Sequence, residues 1–281
     1  MKIELEDLGF KYNDAVVFKE VNLLLDEPNL TCIIGPNGSG KSTLMHCMNK
    51  ILIPIDGVVS LDDVDIKLIG FKNLAKCVGY VPNYASDTFA MTVMDTVLMG
   101  RYPHKGMSIT DKDIQFAVDN LRLLGIENLS MRKSDELSAG QYKKVMIARG
   151  LTQEPKILLL DEPTSNLDIN HQIQVMKLLR KLTRDKEISV LAICHDLNIA
   201  ARYADRIIML ANESIYASGT AKEIITVKNI KTVYGVDCQI IEVEGRPYVV
   251  ILAGLDKYDN CKRSDFPEKS NSVRPEAYPT I

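Results

Sequence analysis

No apolar run in this chain approaches the roughly 18–20 residues that a membrane-spanning helix needs, so no spanning segment is expected. The opening stretch, Met1-Lys-Ile-Glu-Leu-Glu-Asp7, puts acids where a signal peptide would carry its apolar region. Positive charge is not in excess either, since 34 Lys+Arg face 37 Asp+Glu for a net charge of −3. That balance supplies no global field for nucleic acid or an anionic lipid surface, and no nucleic-acid partner is expected. Cysteine is sparse and scattered. The six lie at 32, 47, 77, 194, 238 and 261 without a Cys-x-x-Cys pair, and the four histidines stand apart from one another. Neither a structural zinc site nor a disulfide framework is expected, and a reducing cytoplasm fits best. No internal repeat is evident.

What remains is ordinary globular material. At 281 residues and 46% apolar, the chain has ample length for a core, and one domain, or one with a sizeable subdomain, is expected. Ile3 and Leu5 alternate with Glu4 and Glu6, and Val16–Phe18 and Val21–Leu25 read as two further short strands. Leu30–Ile34, Ile157–Leu160 and Ser189–Cys194 are unbroken apolar runs of the kind covered on both faces of a parallel sheet. Between them, Ile114, Ala117, Val118, Leu121 and Leu124 recur at helical spacing after the cap candidate Thr110 and before Gly125. Ile173, Met176 and Leu179 do the same after Asp168. Strands alternating with helices predict an α/β architecture. Residues 84–151 lack strand signals and read as an inserted helical subdomain. Cys238–Val243 and Tyr248–Leu252 predict a hairpin, and from Cys261 onward prolines among polar residues predict a loose tail.

The chemistry concentrates at three strand ends. Gly35, Pro36, Asn37, Gly38, Ser39, Gly40, Lys41, Ser42 and Thr43 match G-x-x-x-x-G-K-[ST]. Glycines let successive N–H groups turn inward on phosphate oxygens, and the following helix adds its positive end. Lys41 would neutralise β/γ-phosphate charge, and Ser42 would ligate Mg²⁺. An Asn-Lys-x-Asp guanine motif is missing, because Asn49-Lys50-Ile51-Leu52 has no aspartate, so ATP is the expected nucleotide. Ile157–Leu160 then delivers Asp161 for the metal and Glu162 to polarise a water. His195 ends the third run and would contact the γ-phosphate or that water, whereas His46, His104 and His171 read as structural. All three ends would lie along one sheet edge.

A fourth element is the helix start Leu137-Ser138-Ala139-Gly140-Gln141, where Ser138 and Gln141 form a capping box. It resembles the signature of ATP-binding-cassette ATPases, and the rest of that set follows in order over about residues 1–252. Tyr12 sits where the family stacks an aromatic on adenine, Asn83 at the Q-loop, and Ser165–Asp168 at the D-loop. The resemblance implies an α/β P-loop NTPase (RecA-like) core with an antiparallel β subdomain and an inserted helical subdomain. The units implied are core halves at 1–83 and 152–235, the helical subdomain at 84–151, a hairpin at 236–260 and the tail at 261–281. It also implies an ATPase using ATP and Mg²⁺, with Ser42, Asp161 and Asn83 as metal ligands and Glu162 and His195 as catalytic groups. Two copies would pair head to tail, so that each phosphate cradle is completed by Ser138, Gly140 and Gln141 of the other copy.

Two positions depart from the family pattern. Asn83 replaces the usual glutamine and shortens its reach by one methylene. Ala139 replaces the first signature glycine, and a positive φ there would cost its Cβ roughly 1 kcal/mol. Met94–His104, His195–Asp205, Val233–Asp237 and Gly245–Val250 resemble ATPase subunits of importers for iron–siderophore complexes, haem and cobalamin. Molybdate or tungstate importers and soluble iron–sulfur assembly ATPases are the alternatives. Transmembrane permease subunits, and indirectly a substrate-binding protein, are the implied partners, with this chain peripheral on the cytoplasmic membrane face. Phe89, Met91, Val93 and Met94 are candidate permease contacts.

Overall fold

The computed structural model describes residues 1–83, 91–104 and 108–254. The expectations for Phe89, for residues 255–260 of the hairpin unit and for the tail at 261–281 lie outside them. The strands are β1 (Ile3–Tyr12), β2 (Ala15–Leu25), β3 (Leu30–Ile34), β4 (Asp56–Leu61), β5 (Val64–Asp65) and β6 (Val78–Val81). After them come β7 (Ile157–Leu160), β8 (Ser189–Ile193), β9 (Arg206–Ala211), β10 (Ser214–Gly219), β11 (Val236–Val243) and β12 (Arg246–Gly254). The helices are α1 (Lys41–Met48), α2 (Phe71–Cys77), α3 (Val93–Leu98), α4 (Asp111–Leu123) and α5 (Ala139–Thr152). They continue with α6 (Ile169–Asp185), α7 (Leu197–Tyr203), α8 (Ala221–Ile224) and α9 (Val227–Tyr234).

A six-stranded sheet in the order β10-β9-β3-β8-β7-β6 forms the centre, parallel except for the edge strand β10. Its apolar runs are buried on both faces, with alternate residues serving different cores. Leu30, Cys32 and Ile34 join the core built with α5 and α6, whereas Ile33 joins the one built with α1 and the antiparallel sheet. Leu158/Leu160 and Ile157/Leu159 divide in the same way. The antiparallel sheet runs β2-β1-β4-β5.

Three local expectations are corrected. Val16–Phe18 and Val21–Leu25 are one strand, bent where Glu20 takes φ 51 and the pairing with β1 slips register, a bulge that breaks the alternation a short-strand reading relies on. Val93 is fully buried and Met94 packs against the same core, so these two are not docking surface. Ile114 is 42% exposed although Ala117 and Leu121 on the same face are buried, so the N-terminal member of the stripe stands off the core that the other two share. The hairpin is present, its strands joined by Glu244 and Gly245 at φ 50 and 75, the twist that a two-residue type I′ turn requires. Strand pairing also brings the Cys32 and Cys194 sulfurs to 3.2 Å, although 162 positions separate them in the chain. The five cysteines among the described residues are free thiols.

The buried Arg101 pins the helical segment. Arg101 donates to Asp113 at 2.8 Å, to the Thr152 carbonyl at 2.9 Å and to Glu154 at 2.5 Å. Asp113 also closes the α4 capping box with Thr110. The Thr110 backbone N–H, followed by Arg101 and the Thr110 hydroxyl, holds its carboxyl down at about 2. A depressed carboxylate stabilises the fold above its unfolded pKa and loses that contribution as pH falls through the folded value. Asp113→Asn is therefore expected to lower Tm near pH 7 by about 5 °C, taking about 2 kcal/mol at roughly 2–4 °C per kcal/mol. The gap to wild type should narrow between about pH 4 and pH 2. Melts across pH 2–7 check this, and a constant gap would contradict it.

Candidate active site

Four neighbouring parallel strands end at one edge, and each hands over to a predicted site residue. β3 runs into Gly35, β8 into Cys194 and His195, β7 into Asp161 and Glu162, and β6 into Pro82 and Asn83. A parallel sheet collects its ligand-handling groups this way because every carboxyl end faces the same side.

The Gly35–Gly40 loop wraps the start of α1. A Cβ on Gly35 would collide with the Leu210 carbonyl, and Gly40 has φ 90 with Val17 Cγ1 2.7 Å from where its Cβ would lie. Only glycine fits both places. Lys41 is buried and its Nζ donates to the Gly35 and Pro36 carbonyls at 2.9 and 2.7 Å. Burial lowers its pKa, while Glu162 and Asp161 oppose that shift. Among the described residues the buried Ser39 hydroxyl has no hydrogen-bond partner. A cradle with an orphaned hydroxyl, a lysine and glycine-shaped backbone fits a polyphosphate.

Ser42 Oγ donates to Asp161 Oδ1 at 3.2 Å. Burial raises the Asp161 pKa, and the Ser42 bond counters it. Among the described residues no group of three or more His, Cys, Asp or Glu could cage a metal. A hydroxyl beside a single carboxylate, next to a phosphate cradle, is the hard-oxygen donor set that Mg²⁺ shares with a nucleotide.

Glu162 stands at φ 49, a conformation that costs a non-glycine residue of order 1 kcal/mol. It turns the carboxylate back over the edge, where His195 Nε2 lies 2.5 Å from Oε1 and Asn83 Nδ2 donates to Oε2 at 2.9 Å. Ser165 completes the group by donating to Asn83 Oδ1 at 2.6 Å and to the Glu162 carbonyl at 3.0 Å. Asn83 thus bonds Glu162 and Ser165, whereas the Ser42 hydroxyl is taken by Asp161. Tyr12, Asn37, Gly38, Gly40, Lys41, Ser42, Thr43, Glu162 and His195 line one open cavity of about 340 Å³. Tyr12, half exposed at its rim, stands edge-on to Phe10 with ring centres 4.9 Å apart.

The signature turn does not line that cavity. Ser138 caps α5, accepting from the Gln141 N–H at 3.3 Å while Gln141 Oε1 accepts from the Ser138 N–H at 3.1 Å. Ser138 and Ala139 are exposed. Ala139 opens the helix and is not among the residues of positive φ, so the expected Cβ penalty does not arise. Gly140 is needed for another reason: a Cβ there would lie 2.9 Å from the His171 ring. His171 in turn bonds Asp168, the cap of α6. His46 bonds Tyr80 and His104 bonds the Gln153 carbonyl.

Sequence reasoning missed Lys143. It lies on α5 with 6% exposure, and its Nζ donates to the Asn83 carbonyl at 3.2 Å. A lysine in a helix reads as solvated surface, and nothing in its spacing says otherwise.

Residues 18–165 match the family model described as ABC transporter. The uncharacterized ABC transporter ATP-binding protein MJ0089 of Methanocaldococcus jannaschii is 44% identical over 89% of this chain and 98% of its own length. The ferric enterobactin transport ATP-binding protein FepC of Escherichia coli is 38% identical over 88% of this chain and 93% of its own. Among solved structures, a transporter provisionally assigned to the metal-chelate type, in an inward-facing conformation, superposes with TM-score 0.78 at 30% identity, covering 89% of this chain and 96% of that one. The cassette MJ0796, solved as a dimer, superposes at 0.67 with 28% identity over 78% and 98%.

Proposed function

This chain belongs to the ABC transporter ATPase family, and from that premise we propose that it drives a membrane importer of an iron chelate (a siderophore complex or haem) or of cobalamin. The likeness to the ferric enterobactin ATPase over nearly the whole chain carries the choice of cargo. ATP hydrolysis itself is the activity of the family.

In the proposed cycle the Tyr12 ring takes the adenine face and Lys41 with the Gly35–Gly40 backbone takes the phosphates. Ser42 and Asp161 would hold Mg²⁺, with Asn83 beside them, and that ion would supply charge neutralisation on the phosphate oxygens. Glu162 accepts the proton of the attacking water, and His195 fixes the Glu162 carboxylate and senses the γ-phosphate. The exposed Ser138 and Ala139 at the start of α5 support a head-to-tail dimer, in which a second copy brings its own helix end to this cradle. Each γ-phosphate then satisfies donors from both chains, and closure lasts until the phosphate chain is cut.

No helix of the described residues is long and apolar enough to cross a membrane, so force must pass to permease subunits. Their docking place in this reading is the cavity of about 370 Å³ between α2 and the helical segment, lined by Phe71, Leu74, Met99 and Tyr102. Phe71 is 70% exposed, and Leu68 beside it 81%. The chain would thus sit peripherally on the cytoplasmic face, indirectly served by a substrate-binding protein.

The test is transport. The complex that co-purifies with this chain from detergent-solubilised membranes is reconstituted in proteoliposomes and offered iron–siderophore, haem, cobalamin and molybdate. ATP-dependent uptake of one of the first three is expected. Uptake of molybdate alone, or recovery only in a cytosolic iron–sulfur assembly complex, would overturn the cargo reading.

A further inference from the structure

We propose that Lys143 is a positioning residue for ATP hydrolysis, a buried ammonium that ties the signature helix to Asn83 and, through the Asn83 amide, to the Glu162 carboxylate of its own chain. It rests on the reading of Asp161 and Glu162 as the reacting edge, and not on the identity of the cargo.

The geometry begins with an ion in the wrong solvent. A lysine ammonium is costly to bury without partners, yet Lys143 is 6% exposed while the next residue, Lys144, reaches out to Gln174 at the surface. The burial is matched by specific chemistry. Nζ donates to the Asn83 carbonyl at 3.2 Å, and the charges it feels are Asp161 and Glu162. Burial lowers the Lys143 pKa, and those two carboxylates resist the shift.

Its position on α5 gives this contact a use. Ser138 and Lys143 are five residues apart, about 7.5 Å along the helix at 1.5 Å per residue. One end of that short span is exposed at the turn offered to a second copy, and the other is buried against this chain's own catalytic edge. The linkage then runs on without a gap. Lys143 holds the Asn83 carbonyl, the Asn83 amide donates to Glu162, and Ser165 locks Asn83 from the opposite side. A shift of α5 when the turn engages the partner's phosphate is carried by this chain to the Glu162 carboxylate. Lys41 interacts with the same carboxylates, but its Nζ bonds within the phosphate loop and so does not join them to α5.

Lys143→Met keeps the apolar stem to within one atom and removes the charge and donor; Lys143→Gln keeps a donor without charge, should the methionine variant fold poorly. Either is expected to lower kcat by roughly 10- to 100-fold, the range for a displaced reacting group, with KM for ATP within about twofold because the phosphate loop is untouched. Lys143→Arg should recover at least half of the lost kcat. A second readout needs no turnover. In EDTA without nucleotide, Asp161→Asn should raise Tm in the Lys143→Met or Lys143→Gln background, where it removes a buried charge that Lys143 no longer helps to offset, and should not raise it in wild type. Unchanged kcat, no rescue by arginine, or melting effects that simply add would overturn the proposal. If Glu162→Gln also leaves turnover intact, it is the reading of the edge that has failed; if that variant behaves as expected, only the role of Lys143 is lost.

Discussion

Replacing Glu162 by Gln is expected to cut ATP turnover by roughly 100- to 10,000-fold, the range a general base contributes, while ATP stays bound. Glutamine reproduces the shape that holds His195 and the Asn83 amide, but it cannot accept a proton from water. With hydrolysis blocked, the phosphate stays shared between two chains. On a sizing column the variant should run as a dimer in ATP and as a monomer without it. A variant that turns over normally and never dimerises would remove Glu162 from the role of base.

The second large effect tests who completes the cradle. Lys41→Ala removes the ammonium proposed to meet the phosphates, and Ser138→Arg puts a bulky cation at the exposed helix end. Each change alone should abolish most activity, since a symmetric dimer carries it in both sites. A mixture of the two variants behaves differently. In a mixed dimer one site collects both defects and the other is intact, so an equal mixture should regain up to about a quarter of wild-type turnover. A chain with both changes should gain nothing when mixed with either single variant. Absence of recovery in the first mixture would mean that the signature turn serves its own cradle.

Much of this arrangement could be read from the residues, because short apolar runs ending in Gly35, Asp161 and His195 state both strand and edge. Parallel pairing then forces the three ends together, as the β3-β8-β7 order bears out. Relations that depend on packing across long chain separations were not legible. Lys143 carries no mark distinguishing a buried ammonium from a solvated one. The contact of Cys32 with Cys194 spans 162 positions and no motif. Val93 could not be told from docking surface, since an apolar residue near a helix start fits either, whereas the exposed Phe71 lies on a helix too short for periodicity to argue anything. Ala139 shows the opposite case, an apparent local defect that vanishes once the residue is placed in the first helical turn.

The capping bond of Ser138 also restricts which atom can stand there. Its oxygen lends a lone pair to the Gln141 amide, and its hydrogen remains available to an incoming anion. Aspartate would end the helix equally well, but it has no proton to give and would meet the visitor with the same sign of charge. Glycine would leave the amide unclaimed. If the proposed dimer forms, one small hydroxyl would both hold its own helix and meet a neighbour's phosphate, so few side chains could replace Ser138 in both tasks.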